Sequence, residues 1–249
     1  MRGPTTRVQA PAGAAGRRTS VGAAVASMVI AGCVTIELPT IAHVHVGHAI
    51  TGWSDTPGGR GLCDVALSEA TTASEHAAFA AEGARDPAAV RLHLGHVLHA
   101  IDPTREASGP GSGYGALKAL DGCIDHLGYA AAVPDASDNL RAGLPPLLDA
   151  LQPLRAQVRA VAVLSADARR SSDAALAVAY AQDVRLRCDR LLVTLVQGRQ
   201  RLDALLAAEV PAYRPVARRH LFGIIRLPSG DWVWGRSAEQ AGSGHGYGH

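Results

Sequence analysis

Residues 172–208 read SDAALAVAYAQDVRLRCDRLLVTLVQGRQRLDALLAA, the longest stretch of uninterrupted helical pattern in the chain. The apolar residues that recur in it at helical spacing are Leu176, Val184, Leu191, Leu195 and Leu202. A helix with such a stripe needs partners along its length, because the apolar face is otherwise left in water. The stretch therefore predicts a long bundle helix that packs against other helices of the chain.

Four further segments have helical character. Residues 61–84 place alanines at intervals of three and four, and Asp86-Pro87 is typical of a helix start that leads to an end near Ile101. The other two segments are residues 116–132 and residues 137–170. We expect Pro145, Pro146 and Pro153 to break or kink the first half of the last segment, because proline removes a backbone donor. The prediction is an all-α fold, an antiparallel bundle of four or five helices over residues 61–209.

The two ends of the chain differ from this bundle. Residues 33–60 contain several glycines and prolines, so we expect an irregular or extended segment there. In residues 210–249, Ile224-Ile225 and Trp232-Val233-Trp234 flank a turn sequence and predict a small hairpin, followed by a glycine-rich tail. We expect no internal repeat in the chain.

Residues 1–32 have the layout of a cleavable export signal. Four arginines come first, an apolar run follows over residues 21–30, and small residues precede Cys33. The apolar run is much shorter than the roughly 20 residues that a membrane-spanning helix needs. The segment is therefore predicted to be removed rather than to remain as a transmembrane anchor.

The residues around the predicted cleavage point, Ile30-Ala31-Gly32-Cys33, resemble the lipobox of bacterial lipoproteins. The resemblance covers this signal only. It implies cleavage before Cys33, acylation of that cysteine on its sulfur and its new amino group, and stable attachment to a membrane by several lipid chains. Val34 follows in place of the aspartate that resembles an inner-membrane retention signal, which favours the outer membrane, facing the periplasm.

Loss of the signal changes the charge balance, because it contains four arginines and no acidic residue. The mature chain keeps 20 basic and 22 acidic residues and has no basic tail, which argues against a nucleic-acid partner. It also keeps Cys63, Cys123 and Cys188. Three is an odd number, so at least one of these cysteines cannot pair within the chain.

Histidines supply the candidate chemistry. His43, His45 and His48 lie soon after the predicted anchor, and His93, His96 and His99 lie in the second predicted helix. His76 and His126 stand singly in the helices on either side. In an extended segment His43 and His45 would point to the same side, and residues three apart on a helix are neighbours. We therefore expect the two histidine groups to meet in one pocket.

Imidazole is a common ligand for copper, zinc and nickel, and pairs of imidazoles also hold haem iron in helical bundles. The predicted cofactor is one of these metal ions or haem b. Both methionines lie in the signal, which favours Cu(II), Zn(II) or iron over Cu(I). The carboxylates considered as additional ligands are Glu37, Glu75, Asp121 and Asp125.

The function predicted from the sequence is electron transfer, sensing or metal handling. The alternative is a structural or adaptor lipoprotein that docks another cell-envelope protein and needs no cofactor. An enzyme is the less favoured reading, because neither G-x-S-x-G nor H-E-x-x-H occurs. Cys123 with His126 one turn later is a nucleophile pair that helical geometry permits.

Overall fold

The computed structural model describes residues 40–210 and 212–213, together with three short strands near the carboxyl terminus. The described residues form six α-helices and one antiparallel sheet. The helices are α1 (Ile41–Ile50), α2 (Leu62–Glu82), α3 (Pro87–Ile101), α4 (Ala116–Ala132), α5 (Asp138–Arg170) and α6 (Ala174–Ala207). The strands are β1 (Arg219–His220), β2 (Ile224–Arg226) and β3 (Trp232–Trp234). The predicted all-α bundle is confirmed, with one helix more than expected.

Side-chain caps explain where several of these helices begin. The Asp86 carboxylate accepts a hydrogen bond from the backbone N–H of Ala88 at 2.9 Å, and Pro87 occupies the first turn of α3. The Ser137 hydroxyl accepts from the N–H of Leu140 at 3.0 Å at the start of α5. Such caps satisfy backbone donors that have no partner inside the helix.

The additional helix, α1, lies in the segment predicted to be irregular or extended. Thr40 caps it by accepting a hydrogen bond from the N–H of His43 at 3.1 Å. The glycines and prolines on which the prediction rested lie mostly outside residues 41–50, and Gly47, the exception, is buried within the helix. Because the segment is helical, the prediction that His43 and His45 point to the same side was wrong. Residues three apart in sequence are the neighbours instead.

The break that the prolines predicted in the fourth segment was also wrong. Helix α5 is continuous, with Pro145, Pro146 and Pro153 inside it. All three are exposed to solvent, so water can satisfy the backbone carbonyls that lose their helical partners.

Helix α2 lies at the centre of the bundle and packs against α1, α3, α4 and α6. Five of its eight buried residues are alanines, and these five are fully buried: Ala66, Ala70, Ala73, Ala77 and Ala80. Small side chains let neighbouring helices come close on several sides. A disulfide between Cys63 and Cys123 links α2 to α4, while Cys188 is buried and unpaired. The expectation of at least one unpaired cysteine is confirmed.

The predicted hairpin is confirmed: β2 and β3 pair antiparallel, with Ile225 opposite Val233, and β1 adds a third strand on the other side of β2. Among the helices of the described residues, none combines the length and apolar character required to span a bilayer. The export signal, Cys33, Glu37 and the glycine-rich tail lie outside the described residues.

Candidate metal centres

Three histidines meet where α1 packs on α4. His45 and His48 lie three residues apart on one face of α1, and His126 reaches them from α4. The Nδ1 atoms of His45 and His126 are 3.1 Å apart, and the ring centroids of His48 and His126 are 4.8 Å apart. We call this half-buried group the α1–α4 triad.

Aromatic rings flank the α1–α4 triad. The indole ring of Trp53 lies 4.7 Å from the ring of His48 and 4.9 Å from that of His126, measured between centroids. The phenol ring of Tyr129 lies 5.3 Å from the ring of His45. Burial, followed by the charges of the neighbouring imidazoles, lowers the pKa of His48 to about 4, and burial likewise lowers the pKa of His126 to about 4. These two rings are therefore neutral at neutral pH, which is the form that binds metal.

A second group of three forms between α2 and α3. His93 and His96 lie three residues apart on α3, and His76 reaches them from α2. The Nδ1 atom of His76 is 3.1 Å from that of His93 and 3.3 Å from that of His96. We call this group the α2–α3 triad. Burial and neighbouring imidazoles lower the pKa values of His76 and His96, while the charges of Glu75 and Glu106 oppose the shift.

The spacing in both triads suits a shared metal ion. An ion that binds two imidazole nitrogens at about 2.0 Å in tetrahedral geometry holds those nitrogens about 3.3 Å apart. The Nδ1 pairs given above lie at 3.1–3.3 Å, and within each triad one ligand nitrogen from every ring lies within 4.8 Å of the others. In addition, Nδ1 of His48 is buried and has no hydrogen-bond partner in the described part of the chain. Each triad could therefore hold one metal ion.

The structure brings six of the eight predicted histidines together, but in two groups rather than one. The expectation that the histidines after the anchor and those of the second predicted helix share a pocket was wrong. Helix α1 packs on α4 and α2, whereas α3 packs chiefly on α2, α5 and α6. Each histidine pair consequently finds its third ligand in a different helix, His126 or His76.

The two remaining histidines have other partners. Nε2 of His43 lies 3.4 Å from a carboxylate oxygen of Glu209, whose side chain is fully buried and also accepts a hydrogen bond from Asn139 at 2.6 Å. The ring of His99 lies with Nδ1 2.8 Å from the backbone carbonyl of Glu106. Neither histidine belongs to a triad, so each has a structural explanation in the bundle.

The candidate carboxylates within the described residues and the candidate cysteine lie outside the triads. Asp121 and Asp125 both form ion pairs with Arg155, and Glu75 stands beside His76 without entering the triad. Cys123 is bonded to Cys63, so the suggested nucleophile pair of Cys123 with His126 was wrong.

Comparison of the triads shows an internal repeat that the sequence analysis missed. HVGH at residues 45–48 of α1 corresponds to HLGH at residues 93–96 of α3. EHAAFAA at residues 75–81 of α2 corresponds to DHLGYAA at residues 125–131 of α4. The buried positions match in both pairs, so the consecutive helices α1 and α2 correspond to the consecutive helices α3 and α4. Each triad takes one helix from each copy.

This repeat is the signal that could have located His76 and His126 as partners of the two pairs. It is weak in the sequence, because 48 residues separate His45 from His93 whereas 50 separate His76 from His126. The two copies therefore do not align without a gap.

No protein-family model, curated protein or solved structure matches this chain. The site itself thus defines the class: a helical bundle with two groups of three histidines that could each hold a metal ion.

Proposed function

We propose that this chain is an exported, lipid-anchored protein of the cell envelope that binds metal ions at its two triads and handles metal on the periplasmic side of the membrane. One observation carries the metal-binding part: twice in one bundle, three imidazoles converge at distances that suit one ion.

The export and anchoring part rests on the signal layout and on the lipobox-like residues that end at Cys33. The Cys63–Cys123 disulfide supports export as well, because such bonds persist in oxidising compartments such as the periplasm. In this proposal the lipid is attached eight residues before Ile41, the first residue of α1.

The geometry favours a metal ion over haem. Two axial imidazoles need a flat slot between them for the porphyrin, with their nitrogens about 4 Å apart across the iron. In the α2–α3 triad the nitrogens of His76 and His96 are 3.3 Å apart, and His93 converges on the same point. A porphyrin would have to displace that third ring.

Metal handling suits this arrangement better than electron transfer or sensing. Both triads are half-buried rather than sealed, so an ion can reach and leave them. All candidate ligands are imidazoles, which bind several divalent ions without the near-permanent affinity that thiolates give. Two triads of the same arrangement would also let one chain bind two ions.

The test uses the full chain produced in a Gram-negative host and recovered from the membrane fraction. We expect about two equivalents of copper or zinc per chain by elemental analysis after dialysis in that metal. The matched variants His45→Ala and His93→Ala should each lose one equivalent, because each removes one ligand from one triad while far-ultraviolet circular dichroism stays unchanged.

The Cys33→Ala variant is the control for anchoring. We expect it to leave the membrane fraction without losing metal, because Cys33 belongs to neither triad. Wild-type protein that takes up neither copper nor zinc would contradict metal binding, and unchanged membrane attachment of Cys33→Ala would contradict the lipid anchor.

A second candidate function, that of an adaptor docking another envelope protein, has one observation in its favour. Helix α6 presents apolar side chains to solvent along one side, at Leu186 (56 % exposed), Val193 (55 %) and Val196 (37 %). Such a stripe is typical of a protein-binding surface. Metal-free wild-type protein in the experiment above would leave this function as the better one.

A further inference from the structure

The two triads have the same ligands and the same scaffold but different surroundings, and this difference bears on which ion each would take. We infer that the α1–α4 triad selects a univalent soft ion, Cu(I), whereas the α2–α3 triad selects a divalent ion, Zn(II) or Cu(II), that keeps water as a further ligand. This inference rests on the proposed function, because it assigns the ions to the same sites.

Burial is the first difference. The imidazoles of the α1–α4 triad are more deeply buried than His76 and His96 of the α2–α3 triad. The cost of taking an ion out of water rises steeply with its charge, and the neutral rings offer no charge in return. A deeper site with neutral ligands therefore favours one positive charge over two.

The ring of Trp53 is the second difference. It lies against both His48 and His126, at 4.7 and 4.9 Å between centroids, so it excludes water from that side of the ligand group. An indole face attracts a neighbouring cation but donates no lone pair. Three imidazoles and an indole suit an ion that accepts three ligands, and Cu(I) is such an ion, whereas Zn(II) is almost always four-coordinate.

Nearby carboxylates are the third difference. Around the α1–α4 triad, Asp125 is paired with Arg155, and Asp135 accepts the N–H groups of Ile41 and Ala42 at the start of α1. Both negative charges are thus already balanced, by a guanidinium and by a helix amino terminus. Beside the α2–α3 triad, Glu75 forms no ion pair within the described residues and can balance the second charge of a divalent ion.

The open side of the α2–α3 triad is the fourth difference. His96 lines a cleft of about 270 Å³ together with Glu106, Gly109 and Arg169. Polar groups in this cleft can hold ordered water next to the ion. A divalent ion bound by three imidazoles needs at least one such further ligand.

The sequence alone favours Cu(II), Zn(II) or iron over Cu(I), because both methionines lie in the predicted signal. Ligand type alone does not separate these ions, since imidazole binds copper and zinc alike. The surroundings of the ligands distinguish the ions, and the fold determines those surroundings.

The test compares the matched variants His126→Ala and His76→Ala, which remove the corresponding ligand from each copy of the repeat. Cu(I) affinity is measured without oxygen, in ascorbate, by competition with a coloured Cu(I) chelator, and Zn(II) affinity by competition with a zinc indicator. We expect His126→Ala to weaken Cu(I) binding by about 100-fold or more and His76→Ala to leave it unchanged. For Zn(II) we expect the reverse: His76→Ala should weaken the tighter binding, and His126→Ala should leave it unchanged.

A third variant tests the indole separately from the ligands. Trp53→Leu should weaken Cu(I) binding by about tenfold and leave Zn(II) binding unchanged, because the ring covers only the α1–α4 triad. If His126→Ala fails to fold by circular dichroism, His45→Ala removes another ligand of the same triad and takes its place.

The outcomes separate the two proposals. Binding of both ions that falls equally in His126→Ala and His76→Ala would overturn the selectivity and leave the metal sites standing. Failure of wild-type protein to compete for either ion would overturn metal binding itself.

Discussion

The α1–α4 and α2–α3 triads show how one ligand scaffold can be placed in two environments. In both, two histidines three residues apart on one helix are joined by one from a neighbouring helix. This shared arrangement of three histidines follows from the internal repeat. The surroundings come instead from the connections between helices: the loop after α1 supplies Trp53, and the loop after α3 supplies Glu106 and Gly109. We therefore expect changes in these corresponding loops to alter the proposed ion preference without moving the histidines.

The largest effect is expected from the disulfide, because it joins one helix of each triad. Replacing Cys63 and Cys123 by alanine opens a crosslink between residues 60 positions apart, for which chain entropy gives a loss of about 4 kcal/mol in the free energy of unfolding. For a domain of this size that lowers the melting temperature by roughly 10 °C. Thermal unfolding followed by circular dichroism measures it.

Wild-type protein treated with a reducing agent is the control for the alanine substitutions themselves. Burial raises the pKa of the Cys188 thiol to about 12, so it stays protonated and cannot exchange with the disulfide. We expect metal binding at both triads to weaken together in the double variant. Loss at only one triad would contradict the view that the α2–α4 contact supports both.

The next effect distinguishes the triads by pH. In metal-free protein the pKa values of His48 and His126 are held at about 4, below the ordinary 6.5, so the unfolded chain binds more protons than the folded chain between these values. The free energy of unfolding is therefore highest above about pH 6.5 and decreases as the pH falls towards 4. Because both rings are partly exposed, we expect about 1 kcal/mol from each. Urea unfolding at a series of pH values measures this.

Two double variants make the comparison. His48→Gln with His126→Gln should flatten the dependence on pH more than His76→Gln with His96→Gln, because the second pair is less deeply buried. A larger change in the second variant would mean that the α2–α3 triad is the more enclosed of the two.

Local sequence signals predicted most of the bundle. Asp86-Pro87 and the apolar stripes over residues 116–132 and 172–208 led to helices close to their observed bounds. The predictions failed where a residue's effect depends on its environment. Prolines in α5 lie on the solvent face and do not break the helix, and Gly47 sits inside α1 although glycine is a poor helix former.

The candidate site was predicted by residue but not by arrangement. Histidine spacing identified the neighbours His93 and His96 on α3, since neighbours on one helix follow from the sequence alone. The pairing of His45 with His48 was missed, because that segment was expected to be extended and not helical. The third ligand of each triad depends on which helices pack together, and that follows from the whole core. The repeat could have identified His76 and His126 as corresponding ligand candidates, but the packing of α1 on α4 and of α3 on α2 came from the structure.

The smallest effect concerns the glycine inside each histidine motif. A Cβ at Gly47 would have only the Tyr213 hydroxyl nearby, at 3.5 Å, whereas a Cβ at Gly95 would lie 3.2 Å from the Arg169 guanidinium. Alanine is favoured over glycine within a helix by about 0.5–1 kcal/mol. We expect Gly47→Ala to raise the free energy of unfolding by that amount in urea titrations.

In Gly95→Ala the same gain should be offset, because Arg169, which is ion-paired with Glu106 beside the α2–α3 triad, must shift by a few tenths of an ångström. The net change in the free energy of unfolding should then be close to zero. The displaced guanidinium also borders the cleft at His96, so Zn(II) affinity should change in Gly95→Ala and not in Gly47→Ala. Equal stabilisation by both substitutions, with Zn(II) affinity unchanged, would mean that Arg169 does not restrict that cleft and that the two motifs are equivalent in their surroundings as well as in their ligands.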